Sequence, residues 1–201
     1  MVTIIERFRK PVSWVFGIMS AFLIVFSLSN HATSMYFELA ELVGLVLIII
    51  ATLGRIWSSL HIVGSKNSVL CDIGPYSMCR NPLYVFSFLG MIGIILVSGI
   101  LILLPPSIIL FTVYYGFVVR KEEERLLSLF GLNFQNYCSK TPRLLFRMSN
   151  YRPGGAVTVN LELIQKRIID AMWFLWLYFM LEILEIFKNT HVVPILLHTP
   201  F

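Results

Sequence analysis

The sequence predicts an all-α polytopic integral membrane protein with about five transmembrane helices, two of which form a helical hairpin. Hydrophobic residues make up 57% of the 201-residue chain and charged residues only 13%. Soluble domains average about 45–50% apolar and about 25% charged residues, so this balance favours a bilayer as solvent. The apolar residues also gather in stretches close to the about 20 residues that a helix needs to cross a membrane. A chain of this length leaves no room for a separate soluble catalytic module.

The first two candidate spans lie in the N-terminal third. One runs from Pro11 to about Ser29 and follows a short basic segment. Its apolar run is long for a signal peptide, and no small-residue cleavage site follows it, so we expect a retained span. The second covers about Met35 to Leu60.

The hairpin is predicted from a stretch that is too long for one span. Residues from Leu83 to Val119 are almost continuously apolar, and Pro105-Pro106 divides them. Consecutive prolines break a helix because they remove donors and clash with the preceding turn. The predicted arms are Leu83–Leu103 and Ser107–Val119, and the last candidate span is Ala171 to Phe187.

The basic residues predict an orientation. If the N-terminus is cytosolic, 15 of the 16 Lys and Arg residues fall on the cytosolic side and only Lys188 on the other. This is the asymmetry of the positive-inside rule. We therefore expect a multi-pass protein with the N-terminus and the active site on the cytosolic side and the C-terminus opposite. The same asymmetry explains the net charge of +5, so no nucleic-acid partner is needed to account for it. We expect membrane lipids as partners.

Two polar segments, 68–84 and 120–143, flank the predicted hairpin and should emerge on the same side. The first supplies a Gly-Pro turn, two tyrosines and Asn81, and the second a carboxylate cluster, Glu122–Glu124, at a helix end. Carboxylates and aromatic faces attract cations, and an Asn offers both donors and acceptors. Such a site suits a cationic, partly aromatic cofactor. The three cysteines are odd in number and fit no zinc spacing, so neither a metal site nor a disulfide framework is expected.

Taken singly, these fragments leave the function open. Gly74-Pro75 and Asn81-Pro82 are ordinary turn dipeptides. The carboxylate cluster with its basic neighbours also fits a solvated helix surface. The near-helical spacing from Leu126 to Tyr137 predicts an amphipathic helix on the membrane surface.

The joint pattern over residues 40–147 resembles the isoprenylcysteine carboxyl methyltransferase family and its phospholipid methyltransferase relatives. The matching residues, in order, are Gly74, Tyr76, Arg80, Pro82, Tyr84, Glu122, Glu123, Leu126, Phe130, Gly131, Tyr137 and Arg143. The resemblance implies a membrane methyltransferase that uses S-adenosylmethionine on a lipophilic acceptor, of isoprenylcysteine carboxylate type or phospholipid type. It divides the chain into a methyltransferase-like domain, 1–147, and a cytosolic linker with an additional C-terminal helix, 148–201.

The resemblance also implies the residues of a cytosolic cofactor pocket. By position they are Ser68, Val69, Leu70, Cys71, Tyr76, Asn81, Pro82, Leu83, Tyr84 and Glu122. The candidate catalytic residues are Glu123 and Arg120.

The chain departs from the family pattern at two positions. Asn81 stands where the family has His, so the side chain does not titrate near neutral pH. Val118 stands where an Arg handles the acceptor carboxylate, and Arg120 is the nearest basic residue. Two residues on a helix correspond to a rotation of about 200°, so Arg120 replaces that Arg only if the helix is irregular. These departures keep two alternatives open: a non-catalytic scaffold or binding protein of the same fold, and a nicotinamide-dependent membrane reductase.

Overall fold

The structure, a computed structural model, describes residues 4–29, 35–63, 69–154, 161–190 and 192–199. Helices dominate these residues, which confirms the predicted helical class. In chain order the elements are α1 (Ile4–Phe26), β1 (Ser27–Ser29), α2 (Met35–Ile62), α3 (Pro75–Met78), α4 (Pro82–Ser98), a 3₁₀ turn (Leu101–Leu103), α5 (Leu104–Phe130), α6 (Leu132–Lys140), a second 3₁₀ turn (Met148–Asn150), α7 (Leu161–Asn189) and β2 (Leu197–Thr199). The two short strands pair in parallel, with Ser27 opposite Leu197.

Two helical stretches, Met35–Ile62 and Leu101–Phe130, are long and apolar enough to cross a membrane. On α2, Ile48 and Ala51 are fully buried, whereas Leu42 and Leu53 on other faces are 57% and 62% exposed. A wide apolar face of this kind is unfavourable in water and favourable against lipid. The described helices therefore fit a membrane protein, while the predicted total of five spans stays a prediction.

The chain forms two compact units. The first comprises residues 1–48, 91–114 and 176–201, and the second comprises residues 49–90 and 115–175. In the first unit, Ile95, Ile100 and Leu103 form a buried cluster. In the same unit Lys188 donates to the carbonyl oxygens of Ile24 at 2.5 Å and Ser27 at 2.7 Å, which joins the end of α7 to the end of α1.

The prediction that Pro105-Pro106 forms the hairpin turn was wrong. The chain turns at Gly99, whose φ of 68° ends α4, and both prolines lie in the first turn of α5. Proline suits that position because the first N–H groups of a helix have no intrahelical acceptor. A Cβ atom on Gly99 would lie 2.3 Å from the Phe37 ring, so only glycine fits this turn.

The predicted helix boundaries around the carboxylate cluster also needed correction. Helix α5 continues without interruption through Glu122–Glu124 to Phe130, so these carboxylates lie within the helix and not at its end. The expected amphipathic helix from Leu126 to Tyr137 is broken at Gly131, whose φ is 52°, and α6 begins at Leu132. The last helix, α7, begins at Leu161, ten residues before the predicted start of the span.

Candidate functional site

One cavity in the second unit collects most of the predicted cofactor residues. It measures about 190 Å³, far more than the roughly 10–15 Å³ that a single water needs. Its walls come from the loop before α3, from the start of α4 and from the second half of α5. The lining residues are Ile62, Val69, Leu70, Cys71, Tyr76, Arg80, Asn81, Pro82, Leu83, Tyr84, Glu122, Leu126, Phe130 and Tyr137. Nine of the ten predicted cofactor-binding residues are among them, and the tenth, Ser68, lies outside the described residues.

The loop from Gly74 to Asn81 owes its shape to local sequence. Gly74 has a φ of 57°, which residues with a Cβ atom rarely adopt, and Pro75 begins the single turn α3. The Ser77 hydroxyl donates to the Gly74 carbonyl at 2.6 Å and closes this turn. Helix α4 then starts at Pro82, with the Tyr84 N–H donating to the Asn81 carbonyl at 3.1 Å. The two X-Pro turns therefore present Tyr76 and Asn81 to the same cavity.

Tyr76 places an unpaired hydroxyl in the wall of the cavity. Its side chain is almost fully buried, and among the described residues the hydroxyl has no hydrogen-bond partner. Burial raises the pKa of Tyr76 well above its ordinary value, so the hydroxyl stays protonated. Leaving such a group unpaired costs about 1–3 kcal/mol, which a bound ligand with a matching donor or acceptor would recover.

Tyr137 lines the same cavity but its hydroxyl is already used. It donates to the Tyr76 carbonyl at 2.7 Å and thereby fixes α6 against α3. The pKa of the Tyr137 hydroxyl is raised, mainly because the side chain is buried. Sequence reasoning matched Tyr137 to the family pattern without placing it in the pocket. It missed Ile62 altogether, because no local pattern points to it.

The adjacent carboxylates of α5 occupy different environments. Glu122 lines the cavity and forms a long, partly exposed ion pair with Arg125 at 3.8 Å. Glu123 instead forms an ion pair with Arg80 at 3.1 Å and accepts hydrogen bonds from both Nε and Nη2 of Arg143. Because consecutive helix residues differ by about 100° in direction, two neighbouring carboxylates can serve two sites.

The predicted catalytic residues lie at a second, more open cavity of the same unit. It measures about 280 Å³ and is lined by Arg120, Glu123, Glu124, Leu127, Phe134, Gln135, Cys138 and Arg143. Helix α5 has no irregularity at this point, so Arg120 does not take the place that Val118 occupies. The structure thus separates Glu123 and Arg120 from the first cavity, and their catalytic roles stay predictions.

The first unit holds a separate group of carboxylates. Oxygens of Glu41, Glu182 and Glu185 lie within 4.8 Å of one another. This arrangement brings together carboxylates of α2 and α7.

Apolar helix faces that suit lipid and a cavity lined by tyrosines and by Glu122 fit the class of membrane methyltransferase-type proteins, and the comparisons give the family. Residues 39–133 match the family model described as phospholipid methyltransferase. The cobalt-zinc-cadmium resistance protein CzcN of Cupriavidus metallidurans is 36% identical over 150 residues, which cover 75% of this chain and 69% of that protein. The nickel-cobalt-cadmium resistance protein NccN of Alcaligenes xylosoxydans xylosoxydans is 33% identical over 152 residues, covering 76% and 71%. No solved structure matches the chain.

The chain belongs to the phospholipid methyltransferase family. The matched segment runs from α2 through the start of α6, and so it contains every described residue of the first cavity except Tyr137.

Proposed function

We propose that this protein is an S-adenosylmethionine-dependent methyltransferase that acts on a lipophilic acceptor within the membrane. One observation carries the proposal: nine residues expected to bind the cofactor, drawn from separate parts of the sequence, line one cavity. Family membership supports the same class of activity.

The residues of the cavity fit the chemistry of this cofactor. Among the described residues, the ion pair of Glu122 is the long one with Arg125 at 3.8 Å, which favours a cationic sulfonium or ammonium group as a further partner. The Tyr84 ring, 4.8 Å from the Tyr115 ring, belongs to an aromatic pair beside the cavity and favours a purine or a cation. Tyr76 and Asn81 supply polar atoms deep in the wall. When bound, the cofactor would supply an electrophilic methyl group.

The protein's own contribution is binding, alignment and the exclusion of water. Transfer of a methyl group needs the acceptor atom in line with it and little else from the protein. Leu70, Leu83 and Phe130 give the cavity apolar walls that keep water out. Val118 stands where the related enzymes use Arg for an acceptor carboxylate, Arg120 lies at the second cavity, and Arg80 at the first cavity is paired with Glu123. A phospholipid-type acceptor with an amine headgroup, which needs no such Arg, therefore fits better than a carboxylate.

The topology proposed from the sequence accompanies this function. Five spans would place the N-terminus and the cavity on the cytosolic side and the C-terminus opposite, as the distribution of Lys and Arg indicates. Reporter fusions at the two termini test it: they should report opposite sides, and the same side for both would refute an odd number of spans.

The direct test is binding of S-adenosylhomocysteine to the detergent-purified protein by calorimetry. We expect saturable binding that weakens about tenfold in Glu122→Gln and several-fold in Tyr76→Phe, since each change removes one polar contact. The exposed Glu162→Gln on α7 is the matched control and should bind like the wild type. No binding at millimolar ligand by protein with an intact unfolding transition would refute the proposal.

A second candidate comes from the names of the relatives. One is named for resistance to cobalt, zinc and cadmium and the other for resistance to nickel, cobalt and cadmium, which favours a role in metal resistance for this chain. A non-catalytic scaffold of the same fold is the alternative to an enzyme in that role. Expression in a metal-sensitive bacterial host separates the two candidates. A scaffold should protect equally well as wild type and as Glu122→Gln, whereas an enzyme should lose its protective effect with that substitution.

A further inference from the structure

The side-chain amide of Asn81 has a fixed direction. Asn81 lines the first cavity and is only 8% exposed, and its Nδ2 donates to the carbonyl oxygen of Arg143 at 3.1 Å. A carbonyl oxygen can only accept, so the NH₂ group must face Arg143. The amide oxygen, Oδ1, is then left for the cavity, and no described residue donates to it. Asn81 thus presents a hydrogen-bond acceptor to whatever the cavity holds.

The carbonyl of Arg143 is itself held in place by the backbone. Residues 141–152, which we call the clasp segment, run alongside the loop from Gly74 to Asn81. The Arg80 N–H donates to the Pro142 carbonyl at 2.9 Å, and the Arg147 N–H donates to the Met78 carbonyl at 3.0 Å. These two bonds lie on either side of Arg143 and fix the direction of its carbonyl.

The Glu123 carboxylate of α5 pairs with Arg143 of the clasp segment. It accepts from Nε of Arg143 at 3.1 Å and from Nη2 of the same guanidinium, a bidentate pair. It also forms an ion pair with Arg80, whose Nη1 lies 3.1 Å from Oε1. Only 13% of the Glu123 side chain is exposed, so this charge is largely shielded from water. Bidentate Arg–carboxylate pairs are the strong and directional ones. Arg80 immediately precedes Asn81, and the carbonyl of Arg143 holds the Asn81 amide. Both arginines therefore share the Glu123 carboxylate.

We propose that Glu123 is a positioning residue: through Arg143 it fixes the direction of the Asn81 amide, so that the amide oxygen accepts a hydrogen bond from a donor group of the bound cofactor. This inference rests on the proposed function of the cavity. It is an alternative to the sequence-based assignment of Glu123 to catalysis, because both oxygens of this carboxylate are paired with arginines, Arg143 at the second cavity and Arg80 at the first.

The first test is the affinity for S-adenosylhomocysteine of the full-length protein in detergent. Asn81→Leu removes both the acceptor and the bond to Arg143, and we expect it to weaken binding about tenfold, the cost of one buried hydrogen bond. Glu123→Gln keeps the shape of the side chain and removes its charge, and we expect a loss of about three- to tenfold. Glu162→Gln controls for the removal of an unrelated exposed carboxylate.

A double-mutant cycle separates positioning from general destabilisation. If Glu123 acts through Asn81, Glu123→Gln should have no further effect on affinity in the Asn81→Leu background, since the oriented amide is already gone. If its role were only structural, the loss would be equal in both backgrounds, and that result would overturn the inference. Arg143→Gln should reproduce Glu123→Gln in both backgrounds, and it replaces that variant if Glu123→Gln does not fold.

The outcomes distinguish this inference from the proposed function. Binding by the wild type with unchanged affinity in Asn81→Leu or Glu123→Gln refutes the inference alone. Absence of binding by the folded wild type refutes the proposed function and this inference with it.

Discussion

The turn at Gly74 should be the position in the loop that tolerates substitution least. Gly74→Ala introduces two separate costs. The first is backbone strain, because a φ of 57° is unfavourable for any residue with a Cβ. The second is a steric conflict, because the new Cβ would lie 2.2 Å from Nε2 of His61. The His61 ring cannot easily move aside, since its Nδ1 lies 2.9 Å from the Trp57 carbonyl and bonds to it.

Gly131 allows the two costs to be separated. Its φ of 52° is nearly the same, but a Cβ there meets nothing within 4 Å. Gly131→Ala should therefore cost only the backbone strain, about 1–3 kcal/mol, because φ 52° with ψ −123° is a region that residues other than glycine sparsely populate. Gly74→Ala should cost the same backbone strain and, in addition, an overpacking penalty of about 1–3 kcal/mol. At about 2–4 °C per kcal/mol for a chain of this size, the melting temperature of Gly74→Ala should fall clearly further.

Thermal unfolding of the purified variants, followed by intrinsic fluorescence, measures both costs. In a His61→Ala background the steric part should disappear, so Gly74→Ala should then cost no more than Gly131→Ala. Equal melting temperatures for Gly74→Ala and Gly131→Ala in the wild-type background would refute the reasoning. So would a cost of Gly74→Ala that does not change when His61 is removed.

Three further predictions concern the buried groups around the first cavity. Tyr137→Phe should destabilise the protein by about 1–2 kcal/mol in thermal unfolding, because it leaves the Tyr76 carbonyl without its donor. Tyr76→Phe should leave stability unchanged or raise it, because its hydroxyl has no partner among the described residues; a loss equal to that of Tyr137→Phe would contradict this. Burial raises the pKa of Cys79 from 9.0 to about 11, so the thiolate forms more readily in the unfolded chain. The contribution of the neutral Cys79 thiol to the free energy of unfolding is fully present below pH 9 and is lost as the pH rises through about 11. It amounts to at most about 3 kcal/mol by linkage. Cys79→Ala should flatten the decline of stability over this range, and an unchanged pH profile would count against a buried neutral thiol.

The helical class could be predicted from the apolar stretches of the sequence, whereas the residues of the cavity were predicted from the resemblance to a known family. Long apolar stretches predict helices in lipid whatever their neighbours. The order and spacing of the matched motifs identified residues that line one cavity, although residues 71 and 122 are far apart in the chain. The position of the hairpin turn was not predictable in this way. Gly99 and Pro105-Pro106 are both helix-ending signals, and the contact of Phe37 with Gly99 decides between them only in three dimensions.

The charge pairs at the site are a second feature that the sequence alone did not predict. Glu122, Glu123 and Glu124 read as one cluster in the sequence, and their nearest basic residues along the chain are Lys121 and Arg125. The partners that Glu123 selects are Arg80 and Arg143, the latter 20 residues away. Helical geometry turns Glu122 by about 100° from Glu123, so one carboxylate faces the first cavity while the other is taken by two arginines. An acidic pair in such a motif is therefore not a pair of equivalent candidates for catalysis. In the part of the chain that the structure describes, Glu122 has the longer and more exposed ion pair, so we expect it to meet the cationic ligand, while the paired Glu123 determines where the surrounding loop can lie.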